Sequence, residues 1–274
     1  MTAEVVTGGG LGVLEPETSV ATVVGLVISP PNSGLDFAMD YYEIEIENEV
    51  TNLGAGGILL ACYTSENFPA DPICNQFDRD PINNGIIEVR DSFINIANQK
   101  NRGMDFTIRY GLDTPVGYLT LDSQATLTLE NNTALFAGLT SDPLGEVGNP
   151  EWVGNINATL ERGPWTAFWG YDWIGSQDNT LDYQEANGTT FLTIDGRRTQ
   201  LKTDVGHWGV HSASLQYEFD DWRVLAGVSN LFDERPPQAS SRAVGATLGN
   251  HVFSSQYTEG LYGRRGFIRL SKSF

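Results

Sequence analysis

The sequence predicts an all-β chain: an antiparallel transmembrane β-barrel, present in part. Three features carry that expectation. Long segments alternate between apolar and polar residues, aromatic residues gather at the ends of those segments, and short turns alternate with long polar loops. Successive side chains of a strand face opposite sides, so a period of two gives a sheet with one apolar and one wet face. Segments of about ten residues are long enough to cross a bilayer when tilted. A soluble sandwich also alternates, but it rarely keeps strands this long or places aromatic residues in two bands.

The clearest segment lies between Val116 and Glu130. Leu119, Leu121, Ala125, Leu127 and Leu129 point one way, and Thr120, Asp122, Gln124, Thr126, Thr128 and Glu130 point the other. The same split sets Met104, Phe106, Ile108 and Tyr110 against Asp105, Thr107 and Arg109. It sets Trp152, Ile156, Ala158 and Leu160 against Asn155, Asn157 and Thr159, and one face of the next strand reads Trp165, Ala167, Trp169, Tyr171, Trp173. The apolar set is expected to face lipid and the polar set a lumen.

Turns rich in Pro, Gly and Asp fall at Ser29–Gly34, Gly111–Val116, Glu161–Pro164 and Phe219–Asp221. Long polar loops fall at Asn48–Asp71, Asn131–Pro150, Gly175–Lys202 and Asp233–Ser255. This alternation matches the two ends of a bacterial barrel. Asn98–Arg102 reads as a short connection on the long-loop side, so the early strands keep consistent orientations only if an extra strand lies near Cys74–Asp80. The expected total is about 10–11 strands, half of a barrel of about 22.

The net charge of −19 argues against nucleic acid, whose phosphates select Lys and Arg. No stretch reaches the roughly 18 continuous apolar residues of a membrane helix. The opening MTAEVVTGGG has neither a cationic start nor an apolar run, so no export signal is read there and the chain is expected to be truncated.

The segment GVSNLFDERPP at Gly227–Pro237 resembles the penultimate-strand signature of TonB-dependent outer-membrane receptors. There an apolar strand ends in Asn-Leu-Phe-Asp, here Asn230, Leu231, Phe232 and Asp233, followed by Pro236 and Pro237. Asn230 and Asp233 can bind nearby backbone as the chain leaves the sheet, and the prolines forbid further ladder pairing. LEPETS at Leu14–Ser19 is similar to a mid-barrel strand start of the family, with GGGLGV where the family has Gly-Asn-Pro. LDFAMDYYEIEIEN and FINIANQKNRGMDFTIRY resemble its following strands. The final strand carries Ile268, Leu270 and Phe274 on one face, with Arg265, Arg269 and Ser273 on the other. It resembles the signal that barrel-assembly machinery reads, although Lys272 falls on the apolar face and Phe267 on the polar one.

The resemblance implies that residues 1–274 are the C-terminal part of the barrel domain, with no plug. The parent would be an outer-membrane receptor that imports a scarce nutrient (a ferric siderophore, haem, cobalamin or an oligosaccharide), energised through TonB. Its partners would be outer-membrane lipid, the assembly machinery, an unnamed small-molecule ligand, and TonB only through the missing plug. Tyr63, Phe68, Tyr183 and Phe191 are candidate ligand contacts in loops, where an aromatic face could stack on cargo. The alternative is a soluble β-rich carbohydrate-binding module with polar outer faces.

Cys62 and Cys74 flank SENFPADPI after the helix-compatible GGILLACY, and a bridge between them would staple an extracellular loop. No cofactor, metal or catalytic site is expected. On a strand, His207 and His211 share a face but lie roughly 13 Å apart, too far to share an ion. Asp178–Thr190 matches no EF-hand spacing and reads as a solvated loop. Asp105, Asp122 and Glu130 read as wetted lumen residues rather than catalytic carboxylates, and no nucleophile elbow or phosphate loop is present.

Overall fold

A computed structural model describes residues 3–8, 14–136, 139–243 and 255–273. In chain order the elements are β1 (Glu4–Gly8), β2 (Thr18–Ile28), β3 (Leu35–Thr51), α1 (Gly54–Thr64), β4 (Phe77–Arg79), β5 (Ile86–Ser92), β6 (Ile94–Thr114), β7 (Gly117–Phe136) and β8 (Leu139–Ser141). They continue as β9 (Trp152–Arg162), β10 (Trp165–Ile174), β11 (Gln177–Asp178), α2 (Thr180–Asn187), β12 (Phe191–Ile194), β13 (Arg197–Gln200) and β14 (Asp204–Val205). The last are β15 (Trp208–Phe219), β16 (Trp222–Ser229), α3 (Thr258–Tyr262) and β17 (Arg265–Lys272).

Among the described residues the main sheet has ten strands, in the order β17-β16-β15-β10-β9-β7-β6-β3-β2, with β8 paired to β7. Every neighbouring pair along that order is consecutive in the sheet-forming chain, which is the topology of an up-and-down barrel wall. The order ends at β2 on one side and β17 on the other, so the sheet is an unclosed part of a barrel. The turns fall where Pro, Gly and Asp put them. Asn32, Gly34, Gly163 and Asp220 take positive φ there, as tight reversals demand.

Two expectations change. No turn exists at Asn98–Arg102, because β6 runs unbroken through it. Its polar residues are held by partners: Lys100 lies 2.6 Å from Glu45 and 3.1 Å from Glu43, and Asn101 donates to Asn131 at 3.3 Å. A short strand does occur near Cys74–Asp80, but β4 belongs to a separate three-stranded sheet, β1-β5-β4. With β6 continuous, all strand orientations agree without an extra member.

The backbone divides into two compact units. The first comprises residues 1–22, 43–101 and 130–142. It holds the β1-β5-β4 sheet and α1, joined to the 3-10 turn Pro72–Gln76 by a Cys62–Cys74 disulfide whose Cα atoms are 4.9 Å apart. Asp91, 4% exposed, accepts from Asn52 Nδ2 and from the Gly54 amide, fixing the start of α1. Asp71 accepts from the Ser65 hydroxyl and the Ile73 amide, and these bonds hold its carboxyl below the ordinary range.

The second unit comprises residues 23–42, 102–129 and 143–274, and its strands separate two faces. Register pairs Leu119 with Leu160, Ala158 with Trp169, and Leu215 with Ala226 on the apolar face. That face stays open: Ile268 is 80% exposed and Leu270 60%. A second stacked sheet would bury them and a soluble module would make them polar, so the carbohydrate-binding alternative loses its footing. Aromatic rings form a band at each end. Phe106–Trp152, Trp152–Trp173 and Trp173–His207 lie 5.9, 6.4 and 5.8 Å apart by centroid at the long-loop end. At the short-turn end Trp165 packs on Tyr217 at 4.4 Å, and Lys272 Nζ lies 5.2 Å from the Trp222 ring. Lys272 thus sits on the apolar face at its rim, its stem lying along that face toward the Trp222 ring.

Candidate functional site

The polar face carries the candidate site. Strict alternation delivers Asp105 and Thr107 from β6, Gln124 and Thr126 from β7, Asn155 from β9 and Asp172 from β10 to one wall of a cavity of about 540 Å3. Thr126 donates to Asp105 at 2.6 Å, Asn157 donates to Asn155 at 3.2 Å, and Arg109 approaches Asp122 at 3.5 Å, so the wall is a hydrogen-bonded lattice. Gln256 and Glu259, from the segment before β17, close the cavity from the loop side.

That segment is fixed by a small core on the same face. Trp208, Val210 and Ile174 of the strands pack with Val205, Ala239 and Tyr257. The Tyr257 hydroxyl accepts from Gln177 at 2.7 Å, and burial raises its pKa above the ordinary phenol value. Trp208 Nε1 donates to the Arg235 carbonyl at 2.8 Å, and Gln256 donates to the Gly148 carbonyl at 3.0 Å.

The family-motif residues are the clamp of this arrangement. Asn230, 1% exposed and at φ 48°, ends β16. Its Nδ2 donates to the carbonyls of Glu234 (2.8 Å) and Glu259 (3.3 Å), and its Oδ1 accepts the Glu234 amide at 2.7 Å. Asp233 accepts the Arg264 amide at 2.9 Å, and Arg265 pairs with Glu259 at 2.6 Å. Leu231 donates its amide to the His211 carbonyl, and the Phe232 ring meets His211 edge-on. Pro236 and Pro237 follow where the chain has left the ladder, and Gly260 passes so close that a Cβ there would lie 2.9 Å from Pro236 N.

The other sequence candidates separate. Tyr63 and Phe68 come together with centroids 5.3 Å apart, both about half exposed, on the disulfide-joined loop of the first unit. Tyr183 does not join such a surface. It is 8% exposed and packs with Leu201 and Ala243, anchoring α2 in a segment read from sequence as a solvated loop. Phe191 is covered by the Arg198 guanidinium at 4.1 Å. His207 and His211 lie on the apolar face beside Tyr171, with the Tyr171 hydroxyl 2.6 Å from His207 Nε2. Among the described residues no group of three or more His, Cys, Asp or Glu is arranged to hold a metal ion. Ile268 and Leu270 project outward from β17, and Phe274 lies outside the described residues. Gln177, Trp208, Asp172 and Tyr257 were not singled out as site residues from sequence. Asp172 alone had a signal, its place in the polar half of an alternating strand.

Residues 4–231 match the family model described as TonB dependent receptor-like, beta-barrel. A mutant of the ferric enterobactin receptor PfeA from Pseudomonas aeruginosa superposes with a TM-score of 0.55 at 16% identity, covering 94% of this chain and 31% of that one. The siderophore receptor PirA from Acinetobacter baumannii gives 0.53 at 14%, covering 95% and 32%. The copper transporter OprC gives 0.51 at 13%, covering 96% and 32%. These likenesses concern the fold, and the chain spans about a third of each receptor's length. A profilin from Tetrahymena pyriformis is 28% identical over 107 residues, covering 39% of this chain and 56% of that protein, and assigns no family at that level.

Proposed function

The chain belongs to the TonB-dependent receptor-like β-barrel family of the bacterial outer membrane, and from that premise we propose that it forms the C-terminal part of a receptor importing a scarce nutrient. The observation that supports this best is the division of labour between its faces. One meets lipid with apolar side chains between two aromatic bands, while the other gathers polar groups around a cavity at the long-loop end. Import against a gradient needs energy that an outer membrane does not supply, so the reading includes coupling to TonB through a plug. It includes no catalytic step: Asp105 and Asp122, the carboxylates nearest to an enzymic arrangement, are engaged by Thr126 and Arg109. Outer-membrane lipid covers the apolar face, and the outward Ile268 and Leu270 of β17 would be read by barrel-assembly machinery.

The test is uptake of radiolabelled ferric chelates, haem, cobalamin and oligosaccharides by cells with and without the gene, each with and without TonB. One cargo should be lost on deletion of either. Undiminished uptake of all four classes after deletion would overturn the proposal.

A further inference from the structure

The polar-face cavity has a sign. Among the described residues, sixteen line its wall, and none of these is Lys, Arg or His. Three carboxylates do line it, and their partners differ. Glu259 is neutralised by Arg265 at 2.6 Å. Asp105 accepts from the neutral Thr126 hydroxyl through Oδ1, and neither it nor Asp172 forms an ion pair among the described residues. Of the guanidiniums elsewhere on this face, Arg109 lies 3.5 Å from Asp122 and Arg223 2.6 Å from Glu218, and Arg269 is not among the residues that line the cavity. Between the two uncompensated carboxylates, Gln124 and Asn155 offer neutral amides that can donate to or accept from a ligand of either sign.

Resting on the transport reading above, we propose that Asp105 and Asp172 are specificity-determining residues that select cargo bearing a positive charge, such as a ferric chelate with a free ammonium, and reject anionic cargo. An ammonium entering this cavity exchanges water for carboxylate acceptors that are already desolvated on one side and hold no competing cation, which is where charge-assisted hydrogen bonds are strongest. A trianionic chelate would meet two like charges with no guanidinium to offset its lost hydration, a repulsive element of the kind that sets specificity. Because the carboxylates rise from β6 and β10 of one paired sheet, with β7 and β9 between them, rather than from a loop, their positions do not adapt to rescue a wrong ligand, and a cargo ammonium engages one of them at a time.

Two radio-iron probes test this: an iron(III) trihydroxamate carrying a free ammonium, and an iron(III) tricatecholate. Equilibrium binding is measured on outer-membrane vesicles from cells expressing the chain in its natural gene context, with Asp105→Asn, Asp172→Asn and the double variant. Heat-modifiable gel migration verifies that each variant is folded. The cationic chelate should bind the wild type more tightly than the tricatecholate. The double variant should lose about tenfold or more of the cationic affinity while the tricatecholate gains. Equal or tighter binding of the tricatecholate, an unchanged ratio in the double variant, or no binding of the cationic chelate at millimolar concentration would each overturn the inference. Vesicle binding needs no TonB, so a failure of energised uptake refutes the transport reading without touching this ratio.

Discussion

Replacing Asn230 with Ala should loosen the loop base between β16 and β17. Asn230 is 1% exposed and makes three hydrogen bonds, at 2.7, 2.8 and 3.3 Å, that tie its own strand end to Glu234 and to Glu259, 29 residues on. Alanine leaves two carbonyls and one amide without that partner. An unsatisfied buried polar group costs about 1–3 kcal/mol, but the 3.3 Å bond is weak and water can reach the part-buried carbonyls. The φ of 48° adds roughly 1 kcal/mol for a residue with a Cβ and no local hydrogen bond. The expected loss is therefore about 2–4 kcal/mol. Three variants separate the causes. Asn230→Gly keeps the backbone conformation and loses all three bonds, Asn230→Asp keeps the acceptor and loses both donors, and Asn230→Ala loses everything. Stability should fall in the order wild type, Asp, Gly, Ala. The assay, on the protein expressed in its natural gene context, is the temperature at which the heat-modifiable band disappears on a gel, read beside limited trypsin digestion, which should cut after Arg242 first in the weakest variant, Arg235 being protected by Pro236. If Asn230→Ala stays within about 0.5 kcal/mol of wild type, in the range of an ordinary surface change, the clamp is not what holds the loop.

The remaining expectations are simpler. Cys62 and Cys74 should resist alkylation until reductant is added, and Cys62→Ser should make the α1 segment protease-sensitive, since a bridge of this span is worth roughly 2–4 kcal/mol; alkylation without reductant would show free thiols. Gly209→Val should destabilise by about 1–3 kcal/mol, because a Cβ there would lie 2.5 Å from the Tyr171 ring; an unchanged melting temperature would mean that the ring simply swings into lipid. Tyr257 has its pKa raised, so its contribution is fully present below the unfolded phenol pKa and is lost as pH rises through the folded one. Tyr257→Phe should flatten that alkaline loss, and an identical alkaline profile in the variant would assign the loss elsewhere. Expressed alone, residues 1–274 should not run as a compact heat-modifiable barrel, because β2 and β17 each present an unpaired edge; a conducting, heat-modifiable species would mean that the chain closes on itself.

The strands were legible because a bilayer and a lumen impose opposite demands on alternate residues, and Leu119 through Glu130 obey both without exception but Ser123. Turns were legible because Pro30, Gly34, Gly163 and Asp220 answer to local backbone geometry alone. The misreading at Asn98–Arg102 has the same physical origin. Near the loop end of a long strand the alternation fades into a polar run, and only the pairing of Lys100 with Glu43 and Glu45 shows that the ladder continues. Tyr183 shows the opposite limit. An aromatic residue in a polar loop looks like a ligand contact, and whether Leu201 and Ala243 fold over it depends on contacts far apart in sequence.

The motif Asn-Leu-Phe-Asp was readable as a resemblance, but its role rests on distances that no local pattern encodes. Asn230 and Asp233 reach Glu259 and Arg264, and Gln177 reaches Tyr257 across 80 residues. The consequence bears on the cavity. Glu259 is held at once by Asn230 through its carbonyl and by Arg265 through its carboxylate, so the loop side of the cavity is referred to the ends of β16 and β17 rather than left to fluctuate. Asp105 and Asp172 stand on the strand side, fixed by the ladder itself. A cavity with both sides tied to the sheet has little freedom to neutralise its own carboxylates by drawing in a distant lysine. On the inference drawn above, the charge that Asp105 and Asp172 present is left for whatever enters, and the chemistry of this wall serves cargo choice rather than folding.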